Sequence, residues 1–308
     1  MKSEAMRFLK RAARQGSWPL LQRYVVYPRI LDLPPVQCQM SADFAVHVLI
    51  CEKDATMLHW CLRSLLKHAS SDFMLYIHDD GSCRPETLAR FRAKFVDAVV
   101  FSRSEASLLV ESCTAAFPDL QKWRNEDYIA LKCIDFYLVG NERWIILLDP
   151  DVLFFSDPKE LFDSLQADVW MRDCFYSPYI DPDESMKLFG CKPKQVSGGL
   201  GRVRRESRDF ALLQAINRFK ELPHIQERAR HRGLPKFEDQ TYHAVLTARA
   251  NESFFLGSEY QVATELGLQD IVAKHYTTPA RFWLFEEGIP RIAQQLEIPL
   301  PRWLRDRA

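Results

Sequence analysis

Apolar positions fall along this chain in short blocks that alternate between two periods. Phe44-Ala-Val-His-Val-Leu-Ile50 is a nearly continuous apolar run, as a strand buried on both faces requires, and Thr56 to Lys67 follows with helical spacing. The same alternation predicts a second strand over Phe73-Met-Leu-Tyr-Ile77, a helix from Pro85 to Phe95 and a third strand at Ala98-Val-Val-Phe101. A further helix is expected from about Asn125 to Val139, running into Trp144-Ile-Ile-Leu-Leu148, an apolar run suited to the middle of a sheet. Beyond Val152-Leu-Phe-Phe155 the pattern loosens, with helices expected near Glu206 to Phe219 and Glu238 to Ala248. Strands alternating with helices predict βαβ units, hence an α/β fold with a parallel sheet and right-handed crossovers. No internal repeat or low-complexity stretch interrupts it.

The first 30 residues differ in character. They carry Lys2, Arg7, Lys10, Arg11 and Arg14 among Met6, Phe8, Leu9, Trp18, Leu20, Leu21, Tyr24, Val25 and Tyr27. Two readings stand: a leading helix packed on the domain with a solvated basic face, or a segment in peripheral contact with an anionic membrane surface. Pro34-Pro35 then denies a helix its amide donors, so a basic, aromatic extension over 1–40 and a single domain over 41–308 are expected. No apolar run approaches the roughly 20 residues of a membrane span, and no signal-peptide core follows the basic positions.

With 308 residues and 47% hydrophobic content, a large core can be buried. Lys plus Arg total 41 and Asp plus Glu total 41, a balance that argues against a dedicated nucleic-acid binder. The eight cysteines are scattered, with no Cys-x-x-Cys pair and no zinc-finger spacing. They read as reduced thiols of a cytoplasmic protein.

In open α/β sheets, ligands collect at the carboxyl ends of strands. Three polar clusters follow apolar strands here: Glu52 to Asp54, Asp79-Asp80-Gly81-Ser82 and Asp149-Pro150-Asp151. The last is the most informative. Two carboxylates one residue apart can hold Mg²⁺ or Mn²⁺ and leave sites for phosphate oxygens. A solvated turn explains many such triplets, but two acids against a buried strand call for a compensating charge.

At this point the chain resembles glycosyltransferases of the GT-A fold. Ile146 to Phe155 is similar to their Asp-x-Asp strand, and Asp79-Asp80-Gly81-Ser82 to a second-strand turn where, or after the first strand at Glu52, an acid contacts the nucleoside. Within that fold the likeness is greatest to the retaining enzymes grouped with glycogenin and the bacterial lipopolysaccharide galactosyltransferases. Their motif His-x-x-Gly-x-x-Lys-Pro-Trp has its counterpart in His275-Tyr-Thr-Thr278-Pro-Ala-Arg281-Phe282-Trp283. The resemblance implies that His275 joins Asp149 and Asp151 on the metal and that Arg281 binds the diphosphate, as a planar fork in place of a point charge. Thr278 and Phe282 depart from the motif's Gly and Pro.

The resemblance further implies that Asp239 and Gln240 lie beside the anomeric carbon. It sets Lys132 near the phosphates and Gly198 and Gly199 under the donor sugar. It spans roughly residues 43–288 through short motifs. The implied activity is transfer of a sugar from a nucleotide-diphosphate sugar, UDP-sugar foremost, to a saccharide or glycolipid acceptor, with retention. If the reaction inverts instead, a carboxylate must deprotonate the acceptor, and Asp239, Asp173 and Asp183 are candidates. The loop with Tyr176, Tyr179, Asp181 and Asp183 offers aromatic faces and carboxylates for an acceptor sugar; a surface loop with aromatic core anchors carries the same residues. Two competing readings are a sugar-nucleotide nucleotidyltransferase and a catalytically silent binding protein. The first expects a Gly-rich basic loop after the first strand, where this chain has Cys51-Glu52-Lys53-Asp54; the second has no need of the three metal ligands.

Overall fold

The computed structural model describes residues 18–38, 40, 43–163, 165–231, 238–250 and 252–298. Its strands in chain order are β1 (Val36–Gln37), β2 (Phe44–Ile50), β3 (Met74–Asp79), β4 (Phe95–Val96), β5 (Val99–Phe101) and β6 (Trp144–Leu148). There follow β7 (Val152–Phe154), β8 (Asp168–Arg172), β9 (Val196–Arg204), β10 (Ser253–Phe255), β11 (Tyr260–Val262) and β12 (Ala273–His275). Seven form one sheet in the order β10-β8-β9-β6-β2-β3-β5. β2 pairs in parallel with β3 and β6, and β3 with β5, while β9 runs antiparallel to both β6 and β8. The expected α/β architecture is present, mostly parallel, with β9 reversed.

β2 and β6 read as unbroken apolar runs because both faces of the sheet are covered. On one side the helix Ala55–His68 sets Leu58, Cys61, Leu62 and Leu65 against Val46, Val48 and Ile50. On the other, Leu131, Ile134, Leu213 and Val245 close over Ala45, Ile145 and Leu147. Leu213 comes from the helix Phe210–Phe219, whose start is fixed by Asp209 accepting from the Leu212 amide. Val245 comes from the helix Glu238–Arg249.

The single helix expected from about Asn125 to Val139 is not formed. The chain instead folds as Pro118–Glu126, Ala130–Cys133 and Asp135–Leu138. The Asp127 carboxylate accepts from the Ile129 amide at 3.1 Å, a local turn that competes with helix continuation. The pieces are tied together by a buried two-pronged pair, Arg124 Nε and Nη2 each 2.7 Å from an oxygen of Asp135. Another helix, Arg103–Thr114, is started by a reciprocal cap between Ser102 and Glu105.

A second sheet, β11-β12-β7, decides what meets the end of β6. β7 leaves the Asp149-Pro150-Asp151 turn and pairs antiparallel with β12, Val152 opposite His275. Helical turns from Trp18 to Asp32 bury Val26 and Ile30 in a cluster with Phe285, Ile289 and Ile292. The basic positions from Lys2 to Arg14 lie outside the described residues. Among the described residues no helix is long and apolar enough to cross a membrane. None of the eight cysteines is in a disulfide.

Candidate active site

β2 and β6 are neighbours in the sheet, but the chain proceeds outward from β2 to β3 and β5 and returns to β6 on the opposite side. Such a change of direction opens a crevice at the strands' carboxyl ends. A cleft of about 780 Å³ lies there, lined by Glu52, Asp54, Asp80, Tyr128, Lys132, Asp149, Asp151, Gly198, Gly199, Asp239, Gln240, His275 and Arg281. Of the residues the sequence singled out for the donor and metal, Asp79 alone does not line it. Its Oδ1 instead accepts from the amides of Gly81 at 2.9 Å and Cys83 at 3.0 Å, holding a turn in which Gly81 takes φ +98°.

Asp149, Asp151 and His275 converge, each offering one ligand atom within 4.8 Å of the others. His275 Nε2 lies 3.1 Å from Asp151 Oδ1 and 3.8 Å from Asp149 Oδ2. Its other nitrogen, Nδ1, is 3.1 Å from Ser197 Oγ, which also accepts from the Gly199 amide at 3.4 Å. A hydroxyl acceptor at Nδ1 keeps the Nε2 side of the ring towards the acids. Two carboxylates and an imidazole, open towards a cleft, fit a divalent cation of the Mg²⁺ or Mn²⁺ kind. Without a cation the charges compensate one another. Burial opposes the imidazolium of His275, yet Asp151 outweighs it and the pKa is raised. Burial likewise acts to raise Asp151, but His275 and Arg281 hold it at about 2. At Asp149 burial prevails over Lys132 and His275, and the pKa is raised.

Behind the triad Lys132 is nearly inaccessible. Its Nζ is 2.8 Å from Asp149 Oδ1, 3.1 Å from Asp239 Oδ2 and 3.1 Å from the Gly198 carbonyl. These contacts match the three donors of an ammonium. Burial works against its charge, but Asp149 and Asp239 leave the pKa raised. Gln240 donates from Nε2 to Asp173 Oδ2 at 3.1 Å, and its buried Oε1 has no hydrogen-bond partner. The glycines make room for these side chains. A Cβ on Gly199 would come within 2.3 Å of the His275 ring, and one on Gly198 within 2.8 Å of Gln240 Cγ.

Arg281 reaches across the mouth of the site. Its Nη2 is 3.1 Å from Asp151 Oδ2 and its Nη1 3.3 Å from Asp54 Oδ1. The Glu52–Asp54 segment is a 3₁₀ turn, without the glycine-rich loop of a nucleotidyltransferase. Glu52 itself turns to Arg84, at 2.6 Å.

Comparison with solved structures bears on this arrangement. An active-site mutant of LgtC superposes with a TM-score of 0.51 at 12% identity, covering 86% of this chain and 100% of that one. The chain has the GT-A fold. The galactosyltransferase LgtC in complex with donor and acceptor sugar analogs gives 0.49 at 13% identity over the same shares. Mouse xyloside xylosyltransferase 1 in its apo form gives 0.47 at 14%, covering 80% and 99%. No protein-family model and no curated protein matches the chain.

The GT-A frame carries residues that sequence reasoning did not place correctly or at all. Of the two readings of the loop with Tyr176, Tyr179, Asp181 and Asp183, Tyr179 and Asp181 follow that of a core-anchored surface loop. Tyr179 is buried with its hydroxyl on the Ile216 carbonyl, and Asp181 caps the helix Pro182–Phe189. Tyr176 donates to the Ile180 carbonyl, and Asp183 lies 3.7 Å from Lys192; neither lines the cleft. Tyr128, 43% exposed, does line it and offers an aromatic face that no motif announced. Asp173, considered only as an acceptor base, is the residue that orients Gln240.

Proposed function

We propose that the chain is a glycosyltransferase that moves a sugar from a nucleotide-diphosphate sugar, UDP-sugar foremost, to a hydroxyl of a saccharide or glycolipid acceptor. The observation that carries this reading is the meeting of Asp149, Asp151 and His275 in the cleft at the carboxyl ends of β2 and β6. Asp149, Asp151 and His275 would hold Mn²⁺ or Mg²⁺, which supplies Lewis-acid stabilisation of a diphosphate leaving group. Arg281 adds a guanidinium on the same side, where leaving-group charge develops. Lys132 fixes the carboxylates of Asp149 and Asp239, and its own protons are engaged in doing so. Tyr128 presents a face on which a nucleobase can stack.

Retention is favoured by Gln240. Its amide nitrogen is held by Asp173, leaving a carbonyl oxygen as the group that faces electron deficiency at an anomeric carbon. The bond from that carbon to the diphosphate oxygen breaks with its electron pair on the diphosphate. The acceptor oxygen bonds from the same face, and its proton leaves on the departing phosphate. Eight cysteines with no disulfide among them favour a cytoplasmic enzyme.

The test is a screen of UDP-sugars with Mn²⁺, following UDP release and the anomeric proton of the freed or transferred sugar by NMR. Slow metal-dependent release with the donor's configuration kept supports the proposal. Inverted product refutes retention, and no release from any nucleotide-sugar refutes the activity.

A further inference from the structure

The seven-stranded sheet has a second cavity at the end opposite the cleft. It holds about 480 Å³, and its lining includes Gln166, Asp168, Arg204, Ser207, Arg249 and Glu252. β8 begins there with Asp168, and β9 ends there with Arg204, which pairs with Trp144 at the start of β6. The helix Glu238–Arg249 has Gln240 on the cleft and Arg249 on this cavity, about 13 Å apart at roughly 1.5 Å of rise per residue. The walls are tied to one another. Asp168 Oδ1 accepts from the Arg204 amide at 3.1 Å, Arg204 Nη2 donates to the Gln166 carbonyl at 3.0 Å, and Ser207 Oγ donates to the Arg204 carbonyl at 2.6 Å. The Arg204 guanidinium also lies over the Trp144 ring, 5.1 Å from its centroid.

Asp168 is only 4% exposed, and its Oδ2 has no hydrogen-bond partner among the described residues. Burial raises its carboxyl to about 6, even though the Arg204 amide and guanidinium act to lower it. An acceptor withdrawn from solvent without a donor is unfavourable, so this oxygen calls for a hydroxyl or a water in the cavity that Asp168 lines. Glu252 brings a second carboxyl on the exposed side, and Arg249, its side chain 45% exposed, spends Nη1 on Asp209 at 3.1 Å. Each guanidinium carries five N–H donors, more than these contacts engage. Among the described lining residues, then, two guanidinium groups stand against two carboxyl groups. A phosphate would gain the arginines and meet both carboxyls, and an amine would meet the reverse. A neutral polyol suits all four, because each hydroxyl can donate to a carboxyl and accept from a guanidinium.

We infer that the cavity framed by Asp168, Arg204, Arg249 and Glu252 is a saccharide-binding site separate from the cleft, which takes the hydroxyls of a neutral sugar between its carboxyls and its guanidinium groups. A volume of about 480 Å³ lies within the range of small-ligand pockets. Binding there requires neither a metal nor a nucleotide, so it stands whether or not the cleft transfers sugar.

The experiment follows maltose, lactose and cellobiose by saturation-transfer NMR on the full chain, in chelator and without nucleotide. It compares the native protein with Arg249→Ala, Glu252→Ala, Asp168→Asn and a cleft control, Gln240→Ala, each checked by thermal melting. At least one sugar is expected to bind saturably at millimolar concentration to the native chain, and equally to Gln240→Ala. Arg249→Ala, Glu252→Ala and Asp168→Asn should each weaken it about tenfold, the worth of one charge-assisted hydrogen bond. Arg249 and Glu252 are exposed, so their variants carry the test should Asp168→Asn not fold. Sugar binding that the folded cavity variants leave intact overturns the inference, and its loss in Gln240→Ala would put the sugar in the cleft instead. No saturable binding of any of the three sugars also overturns it, leaving a cavity that holds only water. So does inorganic phosphate that binds more tightly than the sugars and is lost in Arg249→Ala.

Discussion

The imidazole of His275 occupies the space that any side chain on Gly199 would need, since an added Cβ would lie 2.3 Å from its Cε1. Gly199→Ala is therefore expected to push the ring off the carboxylates and weaken Mn²⁺ binding by roughly 10–100-fold, as loss of ligand orientation does elsewhere. Calorimetry on the folded variant checks it, and native affinity would show that His275 is not positioned by this packing. The acids of the triad were legible in the sequence because two carboxylates directly after a five-residue apolar strand demand a counter-charge. His275 was legible only through the resemblance of its motif. Its partner strand β7 is more than a hundred residues away in the chain, and that pairing leaves no local trace. Asp173 was harder still, because its role depends on facing Gln240 across separate elements.

Between elements, the most consequential polar contact outside the cleft is Arg124 with Asp135, side chains 3% and 1% exposed. It joins two helices where one continuous helix was expected, and an apolar period cannot announce an Asx turn at Asp127. Removing one partner would leave the other charge buried alone. Asp135→Ala should cost about 3–5 kcal/mol, read from the urea midpoint at constant slope, and a loss below about 1 kcal/mol would mean that the pair is dispensable. Strands β2, β3, β5 and β6 and the helices Ala55–His68 and Pro85–Lys94 were readable, since each carries its own period. β8 and the three-residue strands β10, β11 and β12 were not, being short or set by pairing with distant chain.

At the scale of the whole molecule, four buried histidines among the described residues are held neutral. Burial pushes His59 and His78 down to about 3 and His243 to about 4, and His47, stacked against His78 at 3.0 Å between ring nitrogens, is lowered as well. Below about pH 6.5 the unfolded chain takes up protons that the folded one refuses, so stability must fall as pH drops from there towards 3–4. Asp151, held at about 2, acts in the same direction, since its contribution is lost as pH falls through that value. His275, Asp149, Asp135 and Asp168, the last raised to about 6 by burial, act oppositely, their stabilisation being present at low pH and lost as pH rises. Between pH 7 and pH 4 the four histidine shifts outweigh the groups that act oppositely, and a net loss of at least about 2 kcal/mol is expected, measurable as a falling urea midpoint; a midpoint that rises on acidification would contradict it.

The central claim is a cleft that binds a nucleoside diphosphate through a metal, and calorimetric titration of UDP with and without Mn²⁺ meets it most directly. The native chain should bind UDP only with Mn²⁺ present, and the double variant Asp149→Ala, Asp151→Ala should not bind it in either condition. UDP binding that ignores both the metal and the two aspartates, or no binding of UDP, GDP, CMP or dTDP with Mn²⁺ present, would contradict the account.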